Sequence, residues 1–431
     1  MAKIGFESYH RGNLNRSVFG FQAKLRPKIM GIVQRKLSKT FTNFFDSEKA
    51  SGILLIICTV LSLLITNSVL GANYLSFWHT NIAGLSVELW VNDGLMAIFF
   101  LLIGLELERE LKVGELSEIK NALLPIFAAA GGIIVPALIH FVLNNGTPTQ
   151  AGMGIPMATD IAFALGVLAL LGSRVPASLK VFLTALAVID DLGAIIVIAV
   201  FYTATLSTAY LFGAMVVLGI LILLKKTGVR SLIPYLIGGL LLWFLMLKSG
   251  VHATIAGVLL AFTIPFSTKE DDEDSPSYKL EHFLNKPVAF VILPIFALCN
   301  TGIVIGADAL QSLTTANSSG IMAGLFFGKP IGITLLSFIV VSLGICKLPL
   351  DLNWKHIFGA GILGGIGFTM SIFITNLAFI GESNIINASK MAILLASLTA
   401  GTIGFLWLKI LGQPEESDED MDAMDFHTTE A

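Results

Sequence analysis

Two aspartates stand side by side in the middle of an apolar run, Leu186-Ala187-Val188-Ile189-Asp190-Asp191-Leu192-Gly193-Ala194. Adjacent residues on a helix point about 100° apart, because a turn holds about 3.6 residues. One of the two can therefore face a water-filled funnel while the other turns towards a neighbouring helix. Two close carboxylates repel, which favours one of them carrying a proton, and their oxygens also suit a hard alkali cation. The chemistry on offer is competition at one place between protons and a small cation. The plainer alternative is a pair of packing carboxylates held by hydrogen bonds.

Ionisable groups at bilayer depth cost several kcal/mol and are functional suspects by default. Lys329 lies in Phe326-Phe327-Gly328-Lys329-Pro330-Ile331-Gly332. It stands ten residues into its apolar run, about 15 Å from the end by helix rise, where a lysine reaches the interface poorly. Its partner must be an aspartate, either Asp190 or Asp191. Asp160 follows Gly154-Ile155-Pro156-Met157-Ala158-Thr159. Glycine and proline at membrane depth mark a discontinuous helix, and a carboxylate is favourable beside the positive amino end of a half-helix. Thr159 supplies an oxygen or a cap; the alternative is an ordinary N-cap near the outer surface. A second interrupted run, rich in glycine, spans 359–369, with close helix packing as its alternative. Two broken spans in different halves of a chain mark inverted-repeat transporters. Half-helices meeting head to head leave like partial charges facing, and Asp160 and Lys329 have the signs to offset them. Asp93, after Asn92 near the start of its run, reads as structural. Glu106 and Glu110 lie at a span end, where charge is cheaper.

The elements that must carry these groups follow from composition. The chain has 431 residues, 55% hydrophobic and 13% charged, against about 25% charged in soluble domains. Backbone groups in lipid must pair internally, which leaves helices or a closed barrel. The runs are unbroken and not alternating, so the expected class is an all-α polytopic membrane protein. Twelve spans are read at 50–69, 88–107, 121–143, 156–172, 178–203, 207–224, 232–247, 251–266, 287–306, 320–345, 356–380 and 388–411. The one at 251–266 is short. The basic arm 1–49 carries ten Lys or Arg and no signal-peptide core, so it reads as cytoplasmic and suited to anionic lipid. With the amino terminus inside, nearly all Lys and Arg collect on the cytoplasmic side. Lys248 and Lys390 fall outside, and Lys329 lies within a span. The carboxyl terminus returns to the cytoplasm. The acidic tail 412–431 reads as disordered. The loop 267–286, with its run Lys269-Glu270-Asp271-Asp272-Glu273-Asp274, links two halves. The outer loop 71–86 has room for a hairpin on the membrane surface, which periodicity alone does not decide. Cys58, Cys299 and Cys346 sit in apolar runs without metal or disulfide spacing.

These motifs resemble the bacterial NhaA-type sodium/proton antiporters over about residues 44–411. The resemblance rests on 91–106, on Ala158-Thr159-Asp160-Ile161-Ala162-Phe163-Ala164, on Ile189-Asp190-Asp191-Leu192-Gly193-Ala194, and on Ser249-Gly250-Val251-His252-Ala253-Thr254. Phe327-Gly328-Lys329-Pro330 and the glycine run 359–368 complete it. It implies twelve helices in inverted repeats with two crossing broken helices, an architecture known of that family. It implies electrogenic exchange of Na⁺ or Li⁺ for more than one proton by alternating access, active at alkaline pH, in the bacterial inner membrane. By the same resemblance Asp191 binds the cation, while Asp190 carries protons and pairs with Lys329. Thr159 and Asp160 sit at the helix crossing. Glu106, Glu110, Glu281 and His282 form a cytoplasmic pH-sensing cluster. A homodimer through the loop 71–86 is expected, with lipid around it, and no cofactor or nucleic acid. The chain departs from the family at Tyr278, where a basic residue is common, and at Asn285, where a second histidine is common. The arm and the tail are extra.

Three other classes fit less well. A proton-coupled carrier of an organic solute needs a roomier site lined by aromatic or amide groups. A membrane sensor needs an effector domain. A membrane enzyme needs a nucleophile with its base or a metal constellation, and His140 and His252 stand alone in the sequence.

Overall fold

The computed structural model of the chain describes residues 49–202, 206–267, 274–306 and 309–412. Apart from Lys49 and Gly412, the basic arm and the acidic tail lie outside them.

The chain enters through α1 (Lys49–Thr66). The outer loop 71–86 holds a short helix, α2 (Gly71–Trp78), and then a hairpin of two-residue strands, β1 (Asn81–Ile82) and β2 (Leu85–Ser86), paired antiparallel. The tight connection uses Ala83 and Gly84, both at positive φ. Then come α3 (Val87–Lys112) and α4 (Ile119–Leu143). A 3₁₀ segment (Pro148–Met157) leads into α5 (Ile161–Leu170), bent by 41° at the break between them. α6 (Ala177–Phe201), α7 (Thr208–Lys226) and α8 (Leu232–Ser249) follow. Next are the short α9 (Ile255–Ala261), α10 (Pro276–Asn300) and α11 (Ala309–Leu313). α12 (Ala316–Ser342) precedes the second broken pair, α13 (Trp354–Gly364) and α14 (Phe368–Ala378), bent by 46°, and α15 (Ser383–Leu411) closes the described chain.

Among the described residues nine helices are long and apolar enough to cross a membrane, and eleven spans result when each bent pair counts as one. Eleven of the twelve expected segments are thus matched. The twelfth, 251–266, is a seven-residue helix with irregular flanks, too short to span about 30 Å of hydrocarbon. It lies against α3, where a Cβ on Gly104 would stand 2.7 Å from the Ala261 side chain. The span expected at 287–306 starts eleven residues earlier, at Pro276, where Ser275 caps it by accepting from Tyr278 N–H.

Two features of this frame set the site. α4 and α12 touch backbone to backbone, because a Cβ on either Gly131 or Gly332 would collide with the other glycine's carbonyl. α12 also contains a π-helical stretch, Gly324–Gly328, immediately before Lys329. Pro330 has no N–H to close an ordinary turn, and Lys329 N–H reaches back to Gly324 O. The wider turn re-aims the lysine, as such bulges do at functional sites.

Candidate functional site

Asp190 and Asp191 sit midway along α6, 1% and 0% exposed. Their surroundings differ. Lys329 Nζ, itself fully buried, stands 2.5 Å from Asp190 Oδ2 and 2.9 Å from Thr159 Oγ1. Asp190 Oδ1 and both oxygens of Asp191 are buried without a hydrogen-bond partner among the described residues. Residue types and spacing left the lysine's partner open between the two aspartates and the family resemblance implied Asp190; the lysine stands on Asp190. Three buried carboxylate oxygens then remain unpaired. Such groups are costly unless something fills them, and a proton or a cation is what fits.

The two broken pairs meet beside this site. Asp160 N–H donates to Ile366 O at 2.7 Å, joining one break to the other through the main chain. The Asp160 side chain caps both half-helices that start at the breaks. Its Oδ1 accepts from Phe163 N–H of α5 at 3.0 Å. Its Oδ2 accepts from Thr369 N–H of α14 at 3.0 Å and from the Thr369 hydroxyl at 2.5 Å. One carboxylate thus faces two positive amino ends. On the opposite side, Thr159 Oγ1 donates to Gly364 O, the last carbonyl of α13, at 2.8 Å, and accepts from Lys329. The ammonium reaches that negative end through one hydroxyl. Asp160, only 2% exposed, is therefore an N-cap, but not one at a surface.

Three of the four groups expected to sense pH gather around one arginine, Arg109, which the sequence did not single out. Arg109 Nε donates to Glu281 Oε1 at 2.9 Å, and its Nη1 lies 3.1 Å from Glu110 Oε1. Glu106, one turn earlier on α3, is within electrostatic reach of the same guanidinium. His282 points elsewhere: it is exposed and stacks on Tyr278, rings 6.1 Å apart and 3° from parallel. On another face of α3 the buried Glu108 accepts from Lys112 at 2.5 Å and Lys225 at 3.0 Å. An arginine or a glutamate at a span end looks like an ordinary interface residue, so sequence offered no signal for either role. Thr369 was equally unmarked, since hydroxyls are common in apolar helices. Asp93 stays apart from the aspartate site. It lies in a π-helical stretch, Trp90–Leu95, and its carbonyl accepts from Trp243 Nε1 at 2.9 Å.

The family model described as Na⁺/H⁺ antiporter 1 matches residues 42–408. Curated relatives are similar over nearly their whole length. A protein of Dechloromonas aromatica named Na⁺/H⁺ antiporter NhaA is 72% identical over 385 residues, 89% of this chain and 99% of its own. One of Flavobacterium psychrophilum with the same name is 62% identical over 374 residues, covering 87% and 97%. One of Vibrio cholerae is 49% identical over 377 residues, covering 87% and 98%.

Proposed function

The chain belongs to the Na⁺/H⁺ antiporter 1 family, a multi-pass membrane protein that exchanges sodium for protons, and from that premise we propose how its buried site performs the exchange. The observation that carries the proposal is the set of unpartnered oxygens on Asp190 and Asp191 beside the Lys329 ammonium.

An uncovered carboxylate at bilayer depth is expensive, so the site reorients only when both aspartates are covered, by Lys329, by a cation or by protons. With Na⁺ on Asp191, and Asp190 paired with Lys329, the sum of charges is zero. With a proton on each aspartate instead, Lys329 leaves the site one charge more positive. Exchange of one cation outward for two protons inward then moves one net charge per cycle, and the transport is electrogenic. The empty, doubly ionised site carries an unpaired anion and does not cross, which couples the two fluxes. Alkaline cytoplasm strips the protons and admits Na⁺ or Li⁺. The carrier reorients, releases the cation outside and returns protonated. The cluster around Arg109 tunes this with pH. No cofactor or enzymatic step is needed. The protein lies in the bacterial inner membrane with both termini in the cytoplasm, as a homodimer joined through residues 71–86.

Everted membrane vesicles with a pH-sensitive dye test this directly. Na⁺ or Li⁺ added across an alkaline pH series should dequench the dye in the wild type. Asp191→Asn should abolish the response with little loss of folded protein. Full Na⁺-driven activity in that variant would sink the assignment of Asp191.

A further inference from the structure

A polar file crosses the bundle on the side of the site away from Arg109 and Glu281. Asn376 of α14 donates through Nδ2 to Asn300 Oδ1 at 2.6 Å. Asn300, at the end of α10 and 1% exposed, donates to Asn92 Oδ1 of α3 at 2.8 Å. Three carboxamides thus run in one direction across three elements.

A second buried lysine stands at about the level of Asn376. Lys390 of α15 is 7% exposed, with no hydrogen bond or ion pair among the described residues. Its level is fixed by the contact of Phe368 N–H with Ser397 Oγ, 3.1 Å, where α14 packs on α15. The two helices are joined by a short turn at 379–382 and run in opposite directions. Eight residues along α14 from Phe368 reach Asn376, about 12 Å; seven residues back along α15 from Ser397 reach Lys390, about 10 Å. Cys299, beside Asn300, and Glu88, at the start of α3, both lie within electrostatic reach of the Lys390 amine. The Glu88 carboxylate is turned to His79 instead, at 3.3 Å. The Lys390 charge therefore has no neutralising partner in contact.

The Lys390 nitrogen has no contact partner among the described residues but is not sealed off as the free oxygens of Asp190 and Asp191 are, so water can reach the ammonium. On the membrane face that the transported cation leaves by, it has a use. We propose that Lys390, at the level of the Asn376–Asn300–Asn92 file, sets the asymmetry of the exchanger: its positive charge weakens rebinding of Na⁺ from the outer face and leaves cytoplasmic binding untouched. This rests on the exchange reading and the orientation proposed above. Lys329 neutralises a site carboxylate, whereas Lys390 acts at a distance on the approach to it.

The experiment compares the KM for Na⁺ at the two faces. In right-side-out vesicles added Na⁺ meets the outer face; in everted vesicles it meets the cytoplasmic face. Lys390→Gln should lower the outer-face KM about fivefold, the scale of one unit charge acting over roughly 10–20 Å at an effective dielectric of about 20. The cytoplasmic-face KM should stay at the wild-type value, and Lys390→Arg should keep both. An unchanged outer-face KM in Lys390→Gln, an equal change at both faces, or a change confined to the cytoplasmic face overturns the proposal. Should the glutamine variant not be recovered folded, Lys390→Met, which removes the charge at similar length, carries the same expectation, and an unchanged outer-face KM in it overturns the proposal. Absence of any Na⁺-driven proton movement in the wild type would instead remove the exchange reading itself.

Discussion

Asp190 and Asp191 are neighbours in sequence with unlike surroundings, and the difference comes from one ammonium. Lys329 takes one oxygen of Asp190 and none of Asp191. Breaking a buried pair by removing one partner costs about 3–5 kcal/mol, because the other charge is left bare. Lys329→Met should therefore lower thermal stability in detergent by about that amount. The double variant Asp190→Asn with Lys329→Met should recover most of it and still not exchange, a comparison that thermal unfolding and vesicle assays make together. Equal losses in the single and double variants would mean that the pair does not carry the stability. At this scale the sequence marked the charged residues well, because a charge in an apolar run has few bland explanations. Apart from the family resemblance, which implied Asp190, it could not choose between the two aspartates as partners of Lys329, since that choice depends on how α6 and α12 are rotated about their axes. Thr369 and Arg109 were passed over for the opposite reason: a threonine in an apolar helix and an arginine at its end have many bland explanations.

The elements around the site owe their placement to backbone approach. α4 and α12 come together at Gly131 and Gly332, where an added methyl would meet a carbonyl. Lys329 lies one turn before Gly332, so a displaced α12 carries the ammonium with it. Gly332→Ala should destabilise by about 1–3 kcal/mol, the range for overpacking, and should reduce exchange at unchanged expression. Thermal unfolding beside initial exchange rates checks both, and a variant with wild-type stability and rate would refute the close approach. Long helices were readable from apolar runs alone. The breaks were readable only as regions: Gly154 and Pro156 pointed to the first, whereas the chain opens at 158–160, after a 3₁₀ segment that contains both. α9 was misjudged in length because an apolar run does not reveal where its helix stops. The π-helical stretch before Lys329 had a trace in Pro330 but no length or register.

For the whole molecule, the consequential surface is the segment after α1. Its α2 helix and two-residue hairpin carry exposed Phe77 and Ile82, and Trp90 ties the hairpin to α3 through Nε1 and Ile82 O at 2.9 Å. Deletion of 81–86 should convert the proposed dimer into a monomer, read by light scattering in detergent, while exchange persists. A dimer of unchanged stability would place the interface elsewhere. The chain's overall class and the order of its spans were plain from composition and charge bias, since solvation by lipid constrains every residue at once. How the two broken pairs join was not, because the contact that joins them is written in the main chain. Asp160 N–H to Ile366 O needs no particular side chain at 366. Residue 366 is therefore free to drift so far as this bond is concerned, while the number of residues between Gly364 and Phe368 is not. A single insertion or deletion there would misalign the site more than most substitutions, so comparison of residue identities at 366 would reveal nothing of a constraint that comparison of gaps would show.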